Sequence, residues 1–323
     1  MLQDGCGRSI EYLRLSVTDR CDLRCSYCMP LGFKDYEEPG HWLNFDEIER
    51  LAAVFARLGV RRVRLTGGEP LMRRNLPDLV RRLAALPGID DLSLSTNGTQ
   101  MAKFASPLRK AGIARLNVSL DSLDRERVIR ITRRDVLPQV LAGLEAARDE
   151  GFRLIKINMV AMAGTTDEEI HAMVAYCMER QFVLRLIETM PMGATGRSAG
   201  FLDLGPVRER LRRRFGLIDG VVAGGGPARY LVSPDGRFQI GFITPISQHF
   251  CQSCNRVRLA VDGTLYLCLG QDEKVEFRDL LRGNCTDAAL EDALLAGLRN
   301  KPAHHEFREC PHQVVRVMST TGG

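Results

Sequence analysis

Leu13-Arg14-Leu15-Ser16-Val17-Thr18-Asp19-Arg20-Cys21-Asp22-Leu23-Arg24-Cys25-Ser26-Tyr27-Cys28 joins a short apolar run to three cysteines. The β-branched and apolar residues of Tyr12–Val17 predict a strand. The cysteines follow it at C-x₃-C-x₂-C spacing. Three thiolates in one short loop can bind three irons of a [4Fe–4S] cube, which leaves the fourth iron free to take a substrate. A four-cysteine ferredoxin would fill that position. Structural zinc favours four closed ligands at C-x₂-C spacing and fits this loop poorly. Chance clustering of buried cysteines is the plain alternative, and three in one loop weigh against it.

Further runs of the same kind occur at Arg62–Leu65, Asp91–Ser95, Arg115–Leu120, Arg153–Val160 and Phe182–Ile187. Helix-period segments lie between them. Ile48, Leu51, Ala52, Phe55 and Leu58 form one stripe, with Asn44 as N-cap and Gly59 beyond the end. Ile170, Met173, Val174 and Cys177 form another, opened by the capping box Thr166–Glu169. Six strand–helix units in order predict a wound parallel sheet. The near-continuous apolar strands predict burial on both faces. Six units fall short of the eight of a closed barrel, so an open, partial barrel and a doubly wound sheet both fit. Polar residues gather at the strand ends, at Thr66-Gly67-Gly68-Glu69, Thr96-Asn97-Gly98, Asp121-Ser122 and Glu188-Thr189-Met190. Ligands of parallel α/β folds bind at that edge.

Near residue 192 the rhythm stops, which divides the chain into 1–192 and 193–323. Gly193–Gly200 and Gly224-Gly225-Gly226-Pro227 read as loops. Residues 228–268 read as short antiparallel strands around Pro234-Asp235-Gly236 and Asp262-Gly263. A last helix is expected over Thr286–Arg299.

Composition narrows the functions. Hydrophobic residues make 45% and charged residues 26% of the 323, values of a globular chain. The net charge of +5 admits a small anionic ligand without demanding nucleic acid. No apolar stretch is long enough for a transmembrane helix. The first residues lack the basic and apolar regions of a signal peptide, so a cytoplasmic location is expected. The ten cysteines are too few, in too long a chain, for a disulfide scaffold. Cys177 falls on a helical core stripe, and Cys6, Cys285 and Cys310 have no partner at ligand spacing. Arg133-Arg134 and Arg212-Arg213-Arg214 read as solvated faces.

Cys251, Cys254 and Cys268 form a second group. From spacing alone it is open between zinc, with His249 as a fourth ligand, and a second cluster. Asn255-Arg256-Val257-Arg258 follows. Two arginines at the strand period of two point the same way, and arginines beside a metal suit a phosphate or nucleobase.

Cys21-Asp22-Leu23-Arg24-Cys25-Ser26-Tyr27-Cys28 resembles the signature of the radical S-adenosylmethionine (SAM) enzymes, and Thr66-Gly67-Gly68-Glu69-Pro70 resembles their second motif. Further matches are Leu13–Asp19, Val63-Arg64-Leu65-Thr66, Asn117-Val118-Ser119-Leu120-Asp121-Ser122, Ile187–Met190, Asn255–Arg258 and the terminal Gly322-Gly323. Together they resemble the molybdenum cofactor biosynthesis protein A family, the GTP 3′,8-cyclases, over nearly the whole chain.

The resemblance implies an α/β fold, a partial (β/α)₆ TIM-like barrel with a C-terminal α+β extension carrying a second Fe–S cluster. It implies two [4Fe–4S] clusters, on Cys21, Cys25 and Cys28 and on Cys251, Cys254 and Cys268, with SAM on the open iron of the first. The implied reaction converts GTP to (8S)-3′,8-cyclo-7,8-dihydroguanosine 5′-triphosphate, the first step of molybdenum cofactor biosynthesis. Tyr27, Gly68, Ser119 and Met190 would contact SAM. Arg14, Arg64, Ser95, Lys156, Arg256, Val257 and Arg258 would hold GTP, and Gly322-Gly323 would enter the barrel and support radical transfer. Implied partners are an electron donor and a downstream cyclic pyranopterin monophosphate synthase, with no membrane or nucleic acid. A homodimer stays open. Two departures stand out: Ser95 replaces the usual Thr, and the residue before the final glycines is Thr321 rather than Ile.

Two other functions are distinguishable. A radical SAM enzyme modifying a peptide would need a peptide-binding module, and none is visible. A zinc-stabilised nucleic-acid binder would be strongly basic with interleaved aromatics, against 6% aromatic here.

Overall fold

Alternation organises the strands. In β1 (Tyr12–Ser16), Leu13 and Leu15 face one side of the sheet while Tyr12, Arg14 and Ser16 face the other. β2 (Arg62–Thr66), β3 (Asp91–Thr96), β4 (Arg115–Ser119), β5 (Ile155–Ala161) and β6 (Val183–Glu188) repeat the pattern. Leu13, Leu15, Val63, Leu65, Leu94, Leu116, Val118, Ile157 and Leu184 all join one hydrophobic core. The opposite face is buried as well, but it carries Ser16, Arg64, Ser93, Asn117, Lys156 and Arg185. The expected burial on both faces is present; the expected apolarity is confined to one of them.

The structure is a computed structural model that describes residues 2–222 and 225–322. Six helices lie between the strands β1–β6: α1 (Phe45–Arg57), α2 (Leu76–Ala84), α3 (Met101–Ala111), then α4 (Arg125–Thr132) and α5 (Leu137–Asp149) together between β4 and β5, and α6 (Asp167–Arg180) before β6. The reciprocal caps Asn44–Glu47 and Thr166–Glu169 start α1 and α6, each satisfying two otherwise orphaned backbone N–H groups. β1–β6 are parallel neighbours in chain order, which makes the fold a partial (β/α)₆ barrel with a C-terminal extension.

That extension is not an antiparallel layer of its own. It contains β7 (Ile218–Gly220), β8 (Arg229–Val232), β9 (Gln239–Ile243), β10 (Arg256–Leu259), β11 (Thr264–Tyr266) and β12 (Lys274–Glu276). The sheet order is β12-β11-β10-β1-β2-β3-β4-β5-β6-β9-β8-β7. The two expected antiparallel pairs are present, β8–β9 and β10–β11, and the outer pairs β7–β8 and β11–β12 are antiparallel too, but β9 pairs parallel with β6 and β10 parallel with β1. The physical reason is edge protection. β1 and β6 would otherwise expose unpaired backbone, and the extension covers both. The core is continuous across residue 192, taking in Leu204, Val207, Leu211, Val257, Leu259 and Leu290.

Two helices occupy stretches where no element was expected: α7 (Gly193–Ser198), in the segment read as a loop, and α8 (Leu204–Phe215), which buries Leu204, Val207 and Leu211 beneath an arginine-rich exterior. α9 (Arg278–Arg282) precedes α10 (Asp287–Leu298), capped by Thr286 as expected, and α11 (Met318–Thr321) is a single turn.

Candidate active site

One cavity opens at the C-terminal ends of the parallel strands, and all six grouped cysteines line it. The first loop is held from three sides. Gly68 N–H donates to Thr18 O at 2.8 Å and Glu69 N–H to Arg20 O at 2.7 Å. A Cβ on Gly68 would meet Arg20 O at 2.3 Å, so this approach requires glycine. From the β3 end, Asn97 Nδ2 and Thr99 Oγ1 each donate to Asp22 at 2.7 Å. From the end of α4, Arg24 N–H and Ser26 N–H reach Thr132 O and Ile131 O. Arg134, expected on a solvated face, also donates to Asp22 O at 3.0 Å. Burial pushes the Cys21 and Cys28 thiols up to about 12 and raises Cys25 well above its ordinary value. Thiols held this high keep their protons at neutral pH, so binding iron must expel them.

Tyr27 donates to Asp121 Oδ2 at 2.9 Å, and burial raises the Asp121 carboxyl to about 6. Glu69 is wholly buried and raised to about 7 by that burial, although Thr96 Oγ1, Asn97 N–H and Leu71 N–H all donate to it. Tyr27, Gly68, Ser119 and Met190 line the cavity together with the first cysteines.

Deeper in the barrel the walls turn cationic. Arg14 stands opposite Arg258 on β10 and opposite Arg64 on β2. Tyr12, one pleat below, stands opposite Arg256. Arg185 on β6 completes the set, bonded to Asn158 Oδ1 at 2.8 Å and Asn117 Oδ1 at 2.5 Å. All five arginines line the cavity. Among the described residues none of the five has a carboxylate partner, and Nε of Arg14, Arg64, Arg256 and Arg258 is buried without an acceptor. The electrostatic consequences are large. Burial and then Arg258 and Arg64 hold Arg14 well below its ordinary value. Burial and Arg256 bring Arg258 down to about 10, and burial and Arg64 do the same to Arg185. Burial raises the Tyr12 phenol, but Arg64 and Arg14 outweigh it and the net direction is down. Ser95 Oγ is buried and unpartnered beside them. A cavity with this many unmatched donors is built for a polyanion.

Lys156 sits apart from the cavity lining. It is buried against Tyr230, with Nζ 3.4 Å from the hydroxyl, and burial with Arg185 lowers it to about 7. Val257 faces the core, between the two arginines that face the cavity.

The second cysteine group forms at a tight turn, Cys251–Ser253, and beyond β11. Arg256 hydrogen-bonds Cys254 through both side chain and backbone. Burial opposes ionisation of Cys254, but Lys301 and Arg256 prevail and bring it down to about 7. Lys301 is itself buried, with Nζ 2.5 Å from Leu267 O. His249 does not line the cavity; its ring meets His305 edge-on at 6.1 Å. Among the described residues no group of three or more His, Cys, Asp or Glu is placed to hold one metal ion. Each thiolate of a cube binds its own iron, so cluster ligands stand wider apart than those of a single ion. Cysteines alone fit an iron–sulfur cluster at each group; Lys301, Arg256 and Arg258 put cations beside the second, whereas the charged neighbours of the first are the carboxylates Asp22, Glu69 and Asp121.

The C-terminal tail enters this cavity. Met318 and Ser319 line it, and Ser319 N–H donates to Cys28. Gly322 abuts β2: a Cβ there would meet Thr66 Cγ2 at 2.4 Å, and its φ of +70° suits glycine. Gly323 lies outside the described residues, as does Gly224. Arg185 and Tyr12 were not singled out in the sequence, because each sits inside a run read as an apolar strand; the period-two spacing that exposed Arg256 and Arg258 would have found them. Gly226 and Pro227, read only as a loop, also reach the cavity. Cys177 is core; Cys6 and Cys310 are exposed.

Residues 15–177 match the Radical SAM superfamily model and residues 182–307 the Molybdenum Cofactor Synthesis C model. A GTP 3′,8-cyclase of Ectopseudomonas mendocina is 46% identical, spanning 100% of this chain and 98% of the relative. GTP 3′,8-cyclase 1 of Pseudomonas aeruginosa is 46% identical over 99% of this chain and 98% of its own. The fold resembles Streptococcus suis SuiB bound to S-adenosylmethionine, with a TM-score of 0.67 at 16% identity, covering 90% of this chain and 68% of that one. It also resembles the Escherichia coli coproporphyrinogen III oxidase HemN, a radical SAM enzyme, with a TM-score of 0.51 at 16% identity, covering 71% and 56%.

Proposed function

The chain belongs to the radical SAM superfamily and, within it, to the GTP 3′,8-cyclases, and we infer that this cavity converts GTP to (8S)-3′,8-cyclo-7,8-dihydroguanosine 5′-triphosphate. The carrying observation is the set of five cavity arginines without carboxylate partners, next to two buried thiol groups. Cys21, Cys25 and Cys28 would hold one [4Fe–4S] cluster and Cys251, Cys254 and Cys268 the other. When bound, the clusters and SAM supply the electron and the 5′-deoxyadenosyl radical that this chemistry needs.

The chain's own residues then have distinct tasks. Arg14, Arg64 and Arg185 bind phosphate oxygens, for which guanidinium forks are suited. Arg256 and Arg258 orient the nucleotide against the second cysteine group. Ser95 offers a hydroxyl at the wall. Tyr27, Gly68, Ser119 and Met190 form the SAM side. Lys156 acts at longer range, as a buried cation behind Arg185. The tail, with Met318 and Ser319 in the cavity, keeps water from the reacting groups. A peptide substrate would not call for so many buried cations without carboxylate partners.

An electron donor, a downstream synthase consuming the product and a cytoplasmic location complete the proposal. Among the described residues no helix is long and apolar enough to cross a membrane. The test is anaerobic turnover of GTP, SAM and a reductant. Because the product is an isomer of GTP, it is identified by chromatographic shift at unchanged mass. SAM cleavage without any such isomer would defeat the assignment.

A further inference from the structure

The tail reaches both cysteine groups. At one end Arg316 spreads its guanidinium over the loop that follows Cys268. Its Nη2 donates to Leu269 O at 2.5 Å, Gln271 O at 2.8 Å and Cys268 O at 3.3 Å. Nη1 pairs with Asp272, and the same group lies 4.5 Å from the Tyr266 ring centroid. Three residues later Ser319 N–H donates to Cys28 of the first group. Gln313 adds a bond to Gln271 at 2.8 Å. Between these points the chain is short and well seated: Val317 and Ser319 are buried, and Gly322 N–H donates to Met318 O at 2.9 Å.

We propose that Arg316 is a positioning residue that couples the Cys268 loop to the C-terminal tail, so that the tail docks fully only when the second cysteine group is assembled. The proposal rests on the reading that both cysteine groups carry clusters. A guanidinium that satisfies three carbonyls of one loop requires those carbonyls to converge. They converge when Cys268 is held in place. Without Arg316, the tail keeps its apolar contacts at Val314 and Val317 and the Gln313–Gln271 bond but loses its charged anchor. Coupling of this kind is reciprocal: loosening the tail must also loosen the loop.

The test uses full-length protein with both clusters reconstituted, comparing Arg316→Gln with wild type and with Asp272→Asn, which spares the carbonyl contacts. Hydrogen exchange at residues 316–322 and 267–272 is the structural readout. Release of iron to a chelator is the second, with the two clusters told apart by their spectra. In Arg316→Gln both segments should exchange about tenfold faster or more, as for loss of one charged hydrogen bond. The second cluster should release iron faster than in wild type, and by a larger factor than the first, which the tail touches only through Ser319. Asp272→Asn should stay near wild type. Wild-type exchange and wild-type iron release in Arg316→Gln would overturn the coupling, and so would equal effects on both clusters. If exchange rises as expected yet nucleotide product forms at the wild-type rate, the coupling stands and the catalytic role of the tail falls.

Discussion

Replacing Arg14 with Met should strengthen the empty protein and weaken its hold on GTP. Arg14 has like-charged neighbours in register on both sides, Arg258 and Arg64. Neighbouring strands lie about 4.8 Å apart, and splayed side chains place the guanidinium groups about 8 Å apart. At an effective dielectric of about 20, two such charges repel by about 2 kcal/mol. Two neighbours give about 4 kcal/mol, which water in the cavity reduces to roughly 1–3 kcal/mol. Methionine keeps most of the aliphatic stem, so little packing is lost. Thermal unfolding of the nucleotide-free variant should therefore rise by about 2–12 °C, on the basis of about 2–4 °C per kcal/mol. In calorimetric titration GTP should bind roughly 10–150-fold more weakly, the loss of one charged hydrogen bond of about 1.5–3 kcal/mol. A variant that melts earlier than wild type and binds GTP equally well would refute the reasoning. It would mean that Arg14 is a matched structural residue.

Replacing Cys21, Cys25 and Cys28 together with Ala should halve the iron of the reconstituted protein and abolish SAM cleavage. The same change at Cys251, Cys254 and Cys268 should halve the iron but leave some SAM cleavage; stoichiometric zinc in unsupplemented native protein would contradict this. Gly322→Ala places a Cβ against the Thr66 side chain at an unfavourable φ, a strain of about 1–3 kcal/mol, so product should fall about tenfold while iron content holds. Unaltered product would leave Gly322 without a catalytic task. Lys156, lowered to about 7 against an ordinary 10.5, carries its proton less readily in the folded state. Between those values the unfolded chain binds more protons, so nucleotide-free stability should rise with pH through that window. Denaturant midpoints across it should be flatter in Lys156→Met.

Local chemistry was legible and long-range pairing was not. The six barrel strands are found within two residues of the runs read from apolar and β-branched residues, because each begins and ends at a change of polarity. Asn44, Thr166 and Thr286 announced helices by side chains that cap their own backbone. Cysteine spacing located both thiol groups. What escaped depends on distant partners. Nothing near Gln239–Ile243 says that it pairs parallel with β6, and α8 hides three apolar residues among arginines. Arg185 was lost inside a run scored as apolar. Arg316 looks like any charged residue near a chain end until the Cys268 loop is placed beneath it.

The most direct measurement of the central claim is turnover of GTP deuterated at ribose C3′ with SAM and a reductant under anaerobic conditions. The account predicts 5′-deoxyadenosine one mass unit heavier and a GTP isomer lacking that deuterium. Unlabelled 5′-deoxyadenosine, or labelled GTP returned intact while SAM is consumed, would contradict it.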